Sequence, residues 1–151
     1  MKICIYGAGA IGGVMAAWLA RSGHEVSVVA RGAQLDAIRR DGLRLSSKGK
    51  TDSFRIKAES DPAKLGAQDY VLVTVKAQSL TNVAETISPL LGKETSVVTA
   101  MNGVPWWFLQ TPPTAERLAR AEQRIHSIDP DGHIEASLPL QRVLGCVVHL
   151  T

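Results

Sequence analysis

The chain has 151 residues, 45% of them apolar and 21% charged, with a formal net charge of +3. That composition suits one globular domain with a sizeable core and excludes an intrinsically disordered chain. No apolar run approaches the roughly 18 residues of a membrane-spanning helix. The sequence opens on a strand-like stretch without a signal-peptide pattern, so a cytoplasmic protein with no membrane partner is expected.

In chain order, Lys2–Tyr6 reads as a short apolar strand. After a glycine-rich turn, Ala10–Arg21 has helical spacing, with Ile11, Val14, Met15, Trp18 and Leu19 on one face and Ser22-Gly23 as its stop. Glu25–Ala30 is a second strand and Gln34–Arg40 a second helix, closed by Asp41-Gly42. Leu43–Leu45 and Phe54–Ala58 are expected to pair around the polar stretch Ser46–Ser53. Asp61-Pro62 opens a short helix, Tyr70–Val75 reads as a fully buried strand, and Gln78–Ile87 as a helix broken by Pro89. Ser96–Met101 is another strand. Beyond it, a helix can start at Pro105, and Thr114–Ser127 carries Ala115, Leu118, Ala121 and Ile125 at helical spacing. Asp129–Gly132 is a turn and Val143–Leu150 a last strand. This alternation predicts a Rossmann-type, doubly wound α/β fold, a mainly parallel sheet with helices on both faces. Thr151 falls directly on the end of an apolar strand, so residues 1–151 are read as one domain of a truncated or partial protein.

The sharpest motif is Gly7-Ala8-Gly9-Ala10-Ile11-Gly12, a GxGxxG between a strand and a helix. In that context Gly7 permits a tight turn, Gly9 lets the backbone approach a pyrophosphate, and Gly12 lets the helix pack closely on the strand. The helix N-terminus then offers free N–H groups to the anion. An NAD site would place Asp or Glu at the end of the second strand to bond the ribose 2′-OH. Here that place holds Arg31, twenty-two residues after Gly9. A guanidinium suits a 2′-phosphate, so NADP (as NADPH) is the expected cofactor; an ordinary exposed arginine would leave the choice open.

Lys76 and Asn102 each follow an apolar strand directly, where an open α/β sheet binds its ligands. Asn102 can both donate and accept hydrogen bonds and is the candidate substrate contact as well as a cofactor contact. Trp106, Trp107 and Phe108 read as a packing cluster or domain contact, with shaping of the nicotinamide site as the sharper alternative. The four histidines lack metal-ligand spacing and the two cysteines form no CxxC, so no metal is expected. Cys4 and Cys146 sit in apolar runs, which favours buried free thiols over a disulfide.

Charge is uneven along the chain. Residues 1–50 carry eight Lys/Arg against three Asp/Glu, and Arg31, Arg39, Arg40, Arg44, Lys48 and Lys50 supply most of the excess. Such a patch could attract nucleic acid or a phosphorylated small molecule, but without interleaved aromatic residues it reads equally as a solvated face; no nucleic-acid partner is expected.

Together KICIYGAGAIGG, VVARG, VTVKAQS and TAMNGVP resemble the ketopantoate reductase (2-dehydropantoate 2-reductase) family over Met1–Thr151. The resemblance implies reduction of 2-dehydropantoate to pantoate with NADPH, in the biosynthesis of pantothenate and coenzyme A. It implies an N-terminal Rossmann domain joined to a C-terminal helical domain, with substrate between them. It puts Gly7 to Gly12 on the pyrophosphate, Arg31 on the 2′-phosphate, Lys76 and Asn102 towards nicotinamide and substrate, and Thr151 near the cofactor. It places the general-acid lysine and its acidic partner in the helical domain beyond Thr151, so this chain alone is expected to be inactive. The segment 111–141 is longer than a minimal family member needs. The exact small 2-oxo acid stays open, as does a homodimer. A reductase of another 2-oxo acid and a non-catalytic NADPH-binding or sensing module are the alternatives.

Overall fold

Strands that are apolar on both faces need helical cover on both sides, and the chain supplies it. The computed structural model describes residues 1–112 and 114–149. Its elements are β1 (Lys2–Tyr6), α1 (Ala10–Arg21), β2 (Glu25–Val29), α2 (Gly32–Asp41), β3 (Leu43–Ser47), β4 (Lys50–Phe54) and β5 (Lys57–Glu59). They continue with β6 (Gln68–Val73), α3 (Leu80–Thr86), β7 (Leu91–Ala100), α4 (Thr114–Arg117), α5 (His133–Ser137) and β8 (Val143–Cys146). Six strands form one sheet in the order β5-β2-β1-β6-β7-β8, every neighbouring pair parallel. Counting only these strands in chain order gives 3-2-1-4-5-6, the doubly wound Rossmann order. The direction of winding reverses between β1 and β6, which is where such a sheet opens a crevice.

Alternation along β1 divides the core. Ile3 and Ile5 join Ala16, Ala17, Val26, Val28, Leu35 and Ile38 on the face covered by α1 and α2. Cys4 and Tyr6 join Val71, Val73, Leu80, Val83, Ile87 and Trp106 on the face covered by α3 and α5. Burial pushes the Cys4 thiol up to about 12, so it is an inert packing group at neutral pH. Both cysteines are free, but Cys146 is only partly buried, contrary to the expectation for it. Trp106 is a core residue and Trp107 packs against the same cluster, as the packing reading of this triplet expects; Phe108 stays 51% exposed.

Several elements depart from the sequence reading; β7 starts at Leu91, ahead of the expected Ser96, and the helix expected from Pro105 is a 3-10 turn at Phe108–Gln110. The face of α1 that is fully buried is made of Gly12, Ala16 and Ala17, whereas Trp18 is 57% exposed. Small side chains let α1 lie close to the sheet, and the larger ones sit at its flanks. The hairpin partner of β3 is Lys50–Phe54, because Lys48 and Gly49 both have positive φ and close a two-residue turn with Ser47 opposite Lys50. Residues 57–59 instead add an edge strand beside Ser27–Val29.

The expected helix 114–127 shrinks to α4 and a separate 3-10 turn, Arg120–Gln123. There the Ala119 N–H donates to the Glu122 carboxylate (2.9 Å) and the Gln123 amide donates to the Leu118 carbonyl (3.1 Å). These side chains occupy main-chain groups that a continuous helix would pair. The buried Asp129 carboxylate then accepts from the Ile134 and Glu135 N–H groups (3.1 and 2.9 Å) and starts α5. The last strand stops at Cys146, because Val148 pairs with a side chain instead of a ladder partner. Part of the basic surplus is paired on the surface, Arg39 with Glu59 (2.5 Å) and Arg40 with Asp41 (2.7 Å).

Candidate functional site

At the reversal between β1 and β6 the glycine turn is built by main-chain constraints. Gly7 sits at φ +106°, its N–H donates to the Val29 carbonyl (3.0 Å), and the Thr74 hydroxyl donates to its carbonyl (2.6 Å). A Cβ on Gly12 would lie 2.0 Å from the Gly7 carbonyl oxygen and 2.4 Å from the Thr74 hydroxyl. That position admits only hydrogen, because the helix rests on the turn. Gly9 is the opposite case: a Cβ there meets no heavy atom within 4 Å, and its residue caps α1 without any side-chain hydrogen bond. Gly12 therefore serves the fold, and Gly9 keeps open the space in front of the helix N-terminus. This cradle fits a pyrophosphate.

On the β2 side a cleft of about 350 Å³ is lined by Tyr6, Gly7, Gly9, Ala30, Arg31, Gln34, Ser79 and Asn82, among others. Arg31 is exposed at the N-terminus of α2, and its guanidinium donates to the Asn82 side-chain oxygen on α3. On the β7 side a second cleft, about 620 Å³, is lined by Ile11, Thr74, Lys76, Met101, Asn102 and His149. Val75 borders both, so the two form one crevice bent around the glycine turn. Lys76 is exposed; its carbonyl accepts from the Ser79 N–H (2.8 Å), but its ammonium has no hydrogen-bond or ion-pair partner among the described residues. A third hollow of about 500 Å³, predominantly apolar, adjoins the second through Ala77, Met101 and Asn102 and is walled by Val104, Trp107, Phe108 and Val147.

Asn102 has a structural task that its sequence position does not suggest. Its amide donates to the Val148 carbonyl (3.0 Å) and accepts from the Val148 N–H (2.9 Å), clipping the end of β7 to the segment after β8. One N–H and one lone pair remain for a ligand. Gly7 to Gly12, Arg31, Lys76 and Asn102 all border or build the same crevice. Thr151 lies outside the described residues. Sequence reasoning missed Thr74 and Asn82. Thr74, one residue past β6, could have been suspected as a turn anchor, whereas nothing local marks Asn82. No cluster of three or more His, Cys, Asp or Glu that could hold a metal occurs among the described residues. No helix there is long and apolar enough to cross a membrane.

Residues 3–106 match the family model described as ketopantoate reductase PanE/ApbA. The chain belongs to the ketopantoate reductase family. It is 47% identical over 99% of its length to a 2-dehydropantoate 2-reductase of Mesorhizobium japonicum, covering 45% of that protein. Among solved structures it is similar to a putative ketopantoate reductase from Ralstonia solanacearum MolK2, at 50% identity and TM-score 0.89, over 99% of this chain and 45% of that one. A PanE/ApbA family ketopantoate reductase from Ralstonia eutropha JMP134 follows at 35% identity and TM-score 0.64, over 78% of this chain and 38% of that one. The chain thus spans under half the length of these relatives.

Proposed function

We propose that this chain binds NADPH along the bent crevice and is the cofactor-binding half of a cytoplasmic reductase that converts 2-dehydropantoate to pantoate. The observation that carries the reading is the open cradle at Gly9 with Arg31 at the end of the neighbouring strand, in a member of this family. With the Gly7 N–H bonded to Val29 and shaping the turn, the N–H groups that follow it at the start of α1 hold the pyrophosphate, Ala8 and Ala10 leaving room beside it and Ile11 walling the nicotinamide side. Arg31 binds the 2′-phosphate through charge-assisted hydrogen bonds. Lys76 and the free valences of Asn102 meet the nicotinamide ribose and the 2-oxo acid. Bound NADPH supplies the hydride for the ketone carbon. The contribution of this half of the protein is to hold the reacting groups in line.

A titration by calorimetry tests this. NADPH is expected to bind more tightly than NADH, and Arg31→Ala to remove about 1.5–3 kcal/mol of NADPH affinity while sparing NADH. Equal wild-type affinities would sink the assignment of Arg31. A second reading, another 2-oxo acid with a bulky apolar side chain, is favoured by the apolar hollow beside Asn102. Tighter binding of phenylpyruvate than of ketopantoate to the NADPH-loaded chain, read by calorimetry, would select it.

A further inference from the structure

Arg31 and Asn82 are 51 residues apart and stand on opposite walls of the cleft beside β2. Arg31 leaves β2 and opens α2, whereas Asn82 lies on α3, which the chain reaches only after crossing to β6. The backbone under Asn82 is fixed. Its carbonyl accepts from the Thr86 hydroxyl (2.8 Å), and that hydroxyl pairs with the Tyr6 phenol (2.5 Å), whose residue is 3% exposed at the end of β1. Through this series the end of β1, on which the glycine turn is built, also sets the place of Asn82.

We infer that Asn82 is a positioning residue for cofactor selectivity: its neutral side-chain oxygen holds the Arg31 guanidinium across the cleft, ready for a 2′-phosphate. The inference rests on the NADPH reading above. A guanidinium has five N–H donors, so one bond to Asn82 leaves several for a phosphate. An exposed arginine otherwise loses much rotational freedom on binding, and a partner already in place lowers that cost. The neutrality of the acceptor is essential. A carboxylate at the same point would cancel the charge of Arg31, occupy it through two bonds and repel the incoming phosphate.

The test compares NADPH and NADH titrations of the wild-type chain, Asn82→Asp and Asn82→Ala. Asn82→Asp keeps the side-chain shape, and is expected to weaken NADPH more than about tenfold while leaving NADH within about twofold. Asn82→Ala removes the one hydrogen bond that the neutral amide makes with the guanidinium and should weaken NADPH on the order of fivefold, again sparing NADH. A purely structural role for Asn82 would lower both affinities together and leave their ratio unchanged. That result, or an unchanged NADPH affinity in both variants, overturns the inference while the reading of Arg31 stands. A wild type without preference for NADPH would overturn both.

Discussion

The two ends of the crevice are built on different principles. At the glycine turn and beside β2, the structure is forced into shape: Gly12 has no room for a side chain, Thr74 braces the Gly7 carbonyl, and Arg31 is already held by Asn82. Beside β7, the Asn102 side chain is spent largely on stitching two segments of chain together, and the Lys76 ammonium is untethered among the described residues. The first end is ready for an anion before any arrives. The second acquires its shape from a single amide clip, next to an apolar hollow. The proposed NADPH site accounts for this asymmetry: fixed donors on the phosphates would give affinity, whereas the other end would also have to admit a substrate.

The largest expected effect tests whether the glycine turn is really two devices. Gly12→Val should cost more than about 4 kcal/mol of stability, since its Cβ alone overlaps the Gly7 carbonyl. Gly9→Val should melt near the wild-type temperature yet bind no detectable NADPH. Equal losses of stability in the two variants, measured by thermal melting and circular dichroism, would erase the division between a glycine for the fold and a glycine for the ligand.

The other end of the crevice should respond more mildly. Asn102→Ala leaves the Val148 N–H and carbonyl without their partner and should cost about 1–2 kcal/mol. Faster hydrogen exchange is expected at the Val148 amide and not in β1. If exchange at Val148 is unaltered, the clip is not what orders this end. The smallest effect belongs to Lys76→Ala, which touches no partner among the described residues. Its melting temperature should change by less than the equivalent of about 0.5 kcal/mol, with a modest loss of NADPH affinity in the same calorimetric titration. A large loss of stability there would mean that Lys76 is as firmly placed as Arg31, and the contrast between the ends would fail.

What the sequence determined by itself was whatever depends on neighbours along the chain. The GxGxxG at a strand-to-helix junction, the limits of β1 and α1, the two-sided apolar strands and the place of Arg31 all follow from local backbone chemistry and periodicity. The tertiary structure decided what depends on distant partners. Thr74 meets Gly7 across 67 residues, Arg31 meets Asn82 across 51, and Asn102 meets Val148 across 46. None of these pairs leaves a periodic or spacing signal. The same limit applies where apolar patterns were ambiguous. Phe54, Ile56 and Ala58 alternate like one strand, yet the Lys48-Gly49 turn assigns Phe54 to the hairpin and the edge of β2 takes Ala58. Residues 114–127 have helical spacing, but side-chain bonds to the local backbone, followed by the buried Asp129 cap, divide them. A pattern of apolar residues states which side chains seek cover; the fold decides which surface supplies it.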